Sequence, residues 1–436
     1  MQYNQPLDQP TLPNAPYIDG NANAGIQGSI VPAASIEYDQ RETVEVIFRA
    51  NSRGYSDFSG ASCAPPANTD LMQLRKAIEG FIRSQIVPPA SDLIDSQVTF
   101  HVHGATADFP DLNAAFEYLT KFKITHRGFV TLQIAAGQWT YPVMTQFDHP
   151  SNGHIGIVGA AMLQPMPPPS SFAQNSSQAA QRYADTQSNL AMLRACFATE
   201  LHYTQGAALT VMGTLGFLDG LLVSGDGSTG PVSDAQLISC CGAYDSYIYW
   251  TGTCTPPPQG TSSGLAAVQG GWGFTAIGGA ETTNFWSGGP LVACGNHWSG
   301  FIGNSRSAIW MNSGAYAFGN GQEGFDNLST SAMSVSGGNG LAASCNAGHG
   351  ILSASGSGFQ TNAGYSWKNG AWGAYAQQSS FINCSLDFGV GGANANASGS
   401  LMANVDATMI ITGSAHYSPT SPPYGTTGNT NSVVVG

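Results

Sequence analysis

From Gly206 to Thr412 the large apolar residues stand singly, separated by Gly, Ser, Ala and Asn, and almost no charge interrupts them. This pattern predicts short strands divided by tight corners. Gly and Asn are expected at corners needing positive φ, while Val, Ile, Leu, Phe and Cys stack inward. Collagen is excluded because the glycines do not recur every third residue, and 42% hydrophobic residues argue against disorder. The repeat is degenerate. Gly350 recurs as Gly373, Asn339 as Asn362 and Phe359 as Phe381, a coil of roughly 22–23 residues with a corner glycine and an inward aromatic in each segment. That length fits a three-faced parallel β-helix; an ordinary β-sandwich is the competing fold.

The chain before this run has a different texture. Residues 1–34 are rich in Pro, Asn and Gly and are expected to run extended over another surface. One helix is predicted over about 39–50, with Val44, Ile47 and Phe48 on one face. A second starts at Asp70, with Gln73 three residues on, and its apolar stripe is Leu71, Leu74, Ile78, Phe81 and Ile82. From 96 the pattern turns to α/β: VTFHVHG reads as a strand, and Asp111–Lys123 as a helix burying Leu112, Ala115, Phe116, Leu119 and Phe122. Val130, Leu132 and Ile134 then alternate, and HIGIVGA is a further strand. A solenoid leaves its first coil open, so the 111–123 helix is expected to cover that end. PMPPPSS and the polar stretch to Leu190 interrupt the coils, with a short helix in LAMLRACF. The organisation expected is thus an attachment region (1–95), helix-capped entry coils (96–170), a β-helix body (171–412) and a polar tail (413–436).

Composition narrows the function. Thirteen Lys and Arg stand against 26 Asp and Glu, a net charge of −13, with no basic stripe to displace counterions, so a nucleic-acid binder is not expected. No apolar run approaches a membrane span, and MQYNQPLDQP lacks the apolar core of a signal peptide. The eight cysteines are expected to be mostly free, with Cys345 and Cys384 stacked in the interior. Cys240, Cys241, Cys254 and His297 lack metal spacing.

Three sets of motifs resemble the tail-fibre and tailspike proteins of tailed bacteriophages that carry a pectate-lyase-like right-handed β-helix. YNQP at 3–6, NAPYIDGN at 14–21, GSIVPAASIEYDQRE at 28–42 and DLMQLRKAI at 70–78 resemble the virion-attachment segment. The order HVHGATADFPDLNAAFEYL, VTLQIAAGQWTY, HIGIVGA resembles the helix-capped entry coil, and HYSPTSPPYGTTGNTNSVVVG the polar tail. The resemblance implies a homotrimeric virion component, made in the host cytoplasm, that joins other tail, baseplate or neck proteins through Tyr17, Ile18, Ile36, Tyr38 and Arg41. It also implies a β-helix presented to host surface polysaccharide for adsorption, with no cofactor.

Polysaccharide cleavage needs two carboxyl groups flanking one bond. Asp226 and Asp234 flank the loop GDGSTGPVSDAQ, and Glu323 and Asp326 sit near a corner in QEGFDN; turn-capping is the simpler role for all four. Arg306 and Lys368 are the sole cations after Leu201, which disfavours a lyase. Sugar binding asks only for exposed aromatics among amide and carboxylate side chains. Tyr247, Tyr249, Trp250, Trp272, Trp286 and Trp298 are the candidates, with packing between protomers as their competing role. His101 and His103, two apart on one strand, are the weak metal candidates.

Overall fold

The computed structural model describes residues 46–47, 49–51, 73–86, 93–142, 145–149, 151–204, 209–212, 216–225, 236–241, 264–278, 281–283, 289–337, 340–389, 392–412 and 433–435. The chain divides into two compact units, 1–93 and 94–436.

In the first unit, helix α1 spans Gln73–Ile86 and residues 46–47 and 49–51 are also helical. Arg75 and Glu79 pair across one turn at 3.2 Å. Of the expected stripe, Leu74 and Ile78 are 38% and 46% exposed, whereas Gln73 and Ala77 are buried; Leu71 and the side chains of Phe81 and Ile82 lie outside the described residues. Ala77 clusters with Ile47 and Ala50, and its short side chain allows a close approach that leucine would prevent.

The second unit is a parallel β-helix. Sheet A holds eight strands: Gly137–Tyr141, Thr199–Tyr203, Leu221–Gly225, Leu265–Val268, Leu291–Cys294, Ala315–Phe318, Leu341–Ser344 and Gly364–Trp367. Sheet B, with nine, runs from Thr145–Asp148 to Gly399–Asn404. The third position in each coil belongs first to a four-stranded sheet beginning at Gln97–Val102, then to the seven-stranded sheet C, which begins at Glu281–Thr283. Every pairing in these four sheets is parallel, as stacked coils require. Helix α2, Leu112–Leu119, is capped by Asp111, whose carboxylate accepts from the Ala114 amide at 2.8 Å. It is shorter than expected because Lys123 and Ile124 already form a strand. Its Leu112, Ala115, Phe116 and Leu119 join the solenoid core, with Phe116 4.3 Å from the ring of Phe147 in the first strand of sheet B.

Inside, like stacks on like. Phe274, Phe301 and Phe325 form a near-parallel column with centroids 4.8 Å apart, and Leu265, Leu291 and Leu341 line sheet A. The repeat is longer than expected and uneven. Along the corner between sheets A and B, Asn296, Asn320, Asn346, Asn369 and Asn396 follow one another at separations of 24, 26, 23 and 27 residues. Phe359 does not match Phe381: Phe359 pairs with Ile382 and is buried, while Phe381 pairs with Gly358 and is 38% exposed. A slip of one residue turns a strand side chain to the opposite face.

These asparagines are all buried, and each Nδ2 reaches the next Oδ1 at 2.9 Å. In Asn346, Nδ2 also donates to the Ala317 carbonyl, and Oδ1 accepts from both the backbone and the side-chain amide of Asn320. The amide's full capacity is used within the protein. For the first four asparagines the positive φ at this corner belongs to the preceding residue, Gly295, Gly319, Cys345 or Lys368, and not to the asparagine. Four residues after each of the first four asparagines comes Gly300, Gly324, Gly350 or Gly373, where a Cβ would sit 2.7–2.8 Å from the next ladder Nδ2. Space, not φ, selects glycine there. Ser307, Ser331 and Ser357 form a second ladder between sheets B and C, the hydroxyls of Ser331 and Ser357 each accepting from the amide of the serine one coil before at 3.2 Å.

From Leu221–Gly225 to Leu341–Ser344, sheet A is buried on both faces. Its outward Ala266, Val268, Val292, Cys294, Tyr316, Phe318 and Ala342 pack under Phe172, Leu190, Leu193 and Phe197 of the segment between the early coils. Helix α3 of that segment spans Ala179–Cys196, well beyond the expected LAMLRACF. Among the described cysteines, Cys196, Cys294, Cys345 and Cys384 are free. Cys384 stacks in the interior as expected, but Cys345 is a left-handed corner residue beside the ladder. Replacing Asn346 with Ala orphans buried donors and acceptors on both neighbouring coils. It is expected to cost about 3 kcal/mol in denaturant unfolding, against under about 0.5 kcal/mol for Asn383→Ala on the outer face of sheet C.

Candidate functional site

The outer side of sheet B carries most of the chemistry. Backbone bonds from Gly273 to Ser299, Gly300 to Glu323, Gly324 to His349 and Gly350 to Trp372 place Trp272, Ser299, Glu323, His349 and Trp372 in one column across five coils. Beside it, Ile302, Asp326, Leu352 and Tyr375 stack in register. The i, i+3 spacing of Glu323 and Asp326 therefore puts both carboxyl groups on one patch. The Ser299 hydroxyl lies 3.4 Å from Glu323 Oε2 and 3.1 Å from Asp326 Oδ2.

Asp326 is 6% exposed between apolar neighbours, and its Oδ1 is buried without a hydrogen-bond partner. Burial, followed by the like charge of Glu323, pushes its pKa up to about 7. Glu323 is also raised by burial, against the opposing bonds it accepts from its own amide, the Ser299 hydroxyl and the His349 amide. Gly348 makes room for this carboxylate, since a Cβ there would stand 2.7 Å from Glu323 Oε1. His349 is the neutral neighbour: burial lowers it to about 4, its Nδ1 accepts from the Trp372 amide, and its ring lies 4.7 Å from Tyr375.

Of the aromatic candidates, Trp272 and Trp298 are brought together, their rings stacked 6.0 Å apart, with His297 edge-on to Trp298 at 4.6 Å. Trp298 also lines a cleft of about 530 Å³ between the first turns of α3 and the corners at Gly295–Trp298 and Gly319–Gln322. Tyr183, Arg182 and Gln322 share that wall, none of which the sequence marked. The signal available for Gln322 was its place between the ladder asparagine and the corner glycine; the helix residues carried none. Asp226, Asp234, Tyr247, Tyr249, Trp250, Trp286, Tyr17, Ile18, Ile36, Tyr38 and Arg41 lie outside the described residues.

His101 and His103 engage different partners. His101 faces Asp108, whereas His103 takes a left-handed φ of 62°, stacks on Trp139 at 4.2 Å and meets the Tyr141 hydroxyl at 2.6 Å. The strand ends at Val102, so the alternation that would align the two rings does not reach His103. Among the described residues no group of three or more His, Cys, Asp or Glu is placed to hold a metal ion, and no helix is long and apolar enough to cross a membrane. Comparison with protein-family models, curated proteins and solved structures finds no match to this chain.

The two titrating groups act in opposite directions on stability. Asp326 rises from 3.8 to about 7, so its contribution is full below about pH 4 and is lost as pH climbs to 7. His349 falls from 6.5 to about 4, so its contribution is full above 6.5 and is lost as pH drops to 4. Asp326→Asn is expected to gain stability relative to wild type as pH rises from 4 to 8, by on the order of 3 kcal/mol in total. It should also expose a clear loss between pH 6.5 and 4 that the wild type largely offsets. Thermal melts at constant ionic strength check this, and parallel profiles for the two proteins would refute it.

Proposed function

We propose that this protein is a virion appendage of a tailed bacteriophage, a tail fibre or tailspike whose right-handed β-helix recognises host surface glycan during adsorption. The observation that carries the reading is the Trp272–Trp298 pair beside a cleft rimmed with amide and hydroxyl groups. Sugar rings pack apolar faces on indoles, while neighbouring polar groups take the hydroxyls. The parallel solenoid supplies a rigid scaffold on which such groups repeat coil by coil. In this reading three chains associate, the region containing Tyr17, Ile18, Ile36, Tyr38 and Arg41 joins the particle, and neither a cofactor, nucleic acid nor membrane insertion is involved. A neck or collar whisker with a purely structural role is the bland form of the same assembly.

A second reading is favoured by one arrangement, the Glu323–Ser299–Asp326 patch. A carboxyl group that keeps its proton near neutral pH, beside a second carboxylate, is what glycoside hydrolysis requires. Asp326 would protonate the leaving oxygen, and Glu323 would act as base or nucleophile.

Incubation of the purified protein with host capsule or lipopolysaccharide separates these. The adsorption reading expects retention of glycan without new reducing ends, and Trp298→Ala should weaken binding at least tenfold. Release of oligosaccharide that Asp326→Asn abolishes would establish the hydrolase instead. A monomeric mass by analytical ultracentrifugation would count against the appendage as a whole.

A further inference from the structure

Resting on the glycan-binding reading, we infer that the cleft beneath α3 selects a carboxylated sugar, a uronate or sialate unit, through Arg182. The chain as a whole is acidic, and cations are scarce on the solenoid, yet one lines this cleft. Arg182 makes no ion pair with another described residue; its Nη1 donates to the Ser177 carbonyl. It is partly buried, and desolvation lowers its pKa, so a bound anion would recover what burial costs the guanidinium.

The surroundings add to the same preference. Ala179 and Ala180, which line the cleft, open an 18-residue helix whose N-cap Gln178 makes no side-chain capping bond and whose first turn has no acidic residue. Its exposed amides and dipole favour negative charge at that end. Trp298 and Tyr183 form flat apolar walls, which suit a sugar ring and not a bare inorganic anion. Gln322 and His297 stand at the rim for hydroxyls. A guanidinium binds a carboxylate with two parallel bonds, so charge and ring orientation are read together.

The test uses the full chain and three acidic oligosaccharides: a galacturonate hexamer, a hyaluronate octamer and an α2,8-linked sialate hexamer, each with its carboxyl-reduced neutral counterpart. Isothermal titration is expected to show at least one acidic probe bound tenfold or more tightly than its neutral form. Arg182→Gln should erase that preference without changing affinity for the neutral form, Arg182→Lys should retain part of it, and Trp298→Ala should weaken both. Melting curves confirm that the variants fold. Equal binding of acidic and neutral forms, or a preference that survives Arg182→Gln, overturns the inference and leaves glycan recognition intact. Failure of all six probes to bind overturns this inference, and failure of a broad neutral and acidic glycan panel overturns the underlying reading with it.

Discussion

The amide ladder at the corner between sheets A and B is the constraint on which the second unit depends. A tight corner brings backbone N–H and C=O groups into the interior, where no water can satisfy them, and each unmet group costs about 1–3 kcal/mol. Asparagine answers this with two donors and a two-lone-pair acceptor in one plane. From Asn296 to Asn369, stacking lets each side chain serve the coils before and after it. Because the ladder fixes the corner, it also fixes where sheet B begins, and the phenylalanine column and the outer patch inherit that register. Insertions elsewhere in a coil are absorbed, which is why separations of 23 to 27 residues coexist with an unbroken ladder.

Two consequences follow for chemistry. Parallel stacking converts residues far apart in sequence into nearest neighbours, so Ser299 bridges two carboxyl groups from the following coil and Trp272 meets Trp298. The segment containing α3 then makes a wall where the bare solenoid would have only an outer face. It covers the apolar outside of sheet A, and the gap it leaves at the corner is the cleft. Electrostatics on this side are set by burial more than by net charge. Burial raises Asp326, with the charge of Glu323 adding to it, and burial alone lowers His349.

Parts of this were legible beforehand. Single apolar residues among glycines indicated stacked coils, and alternation in Val130, Leu132 and Ile134 placed an early strand, because the positions between them, Thr131 and Gln133, stay polar although little exposed. The ladder was legible too, as an asparagine four residues before a glycine and an apolar residue, but Asn339 and Asn362 drew the comparison away from it. Sheet A resisted reading, since LAAV, LVAC and AYAF show no alternation when both faces are buried. The stripe on α1 misled for the opposite reason, small Ala77 giving a weaker signal than exposed Leu74 and Ile78.

By itself the sequence determined the scaffold: short strands, small corners, a capping helix from Asp111 and an interior that stacks like with like. These depend on local propensity and on the hydrophobic period, both of which are properties of consecutive residues. Only the tertiary structure decided which coils align, and so that Glu323 and Asp326 share a hydroxyl, that Phe381 faces outward, and that Arg182 lies under the same roof as Trp298. Register between coils is set by the closing of ladders across more than twenty residues at a time, a condition no local window contains.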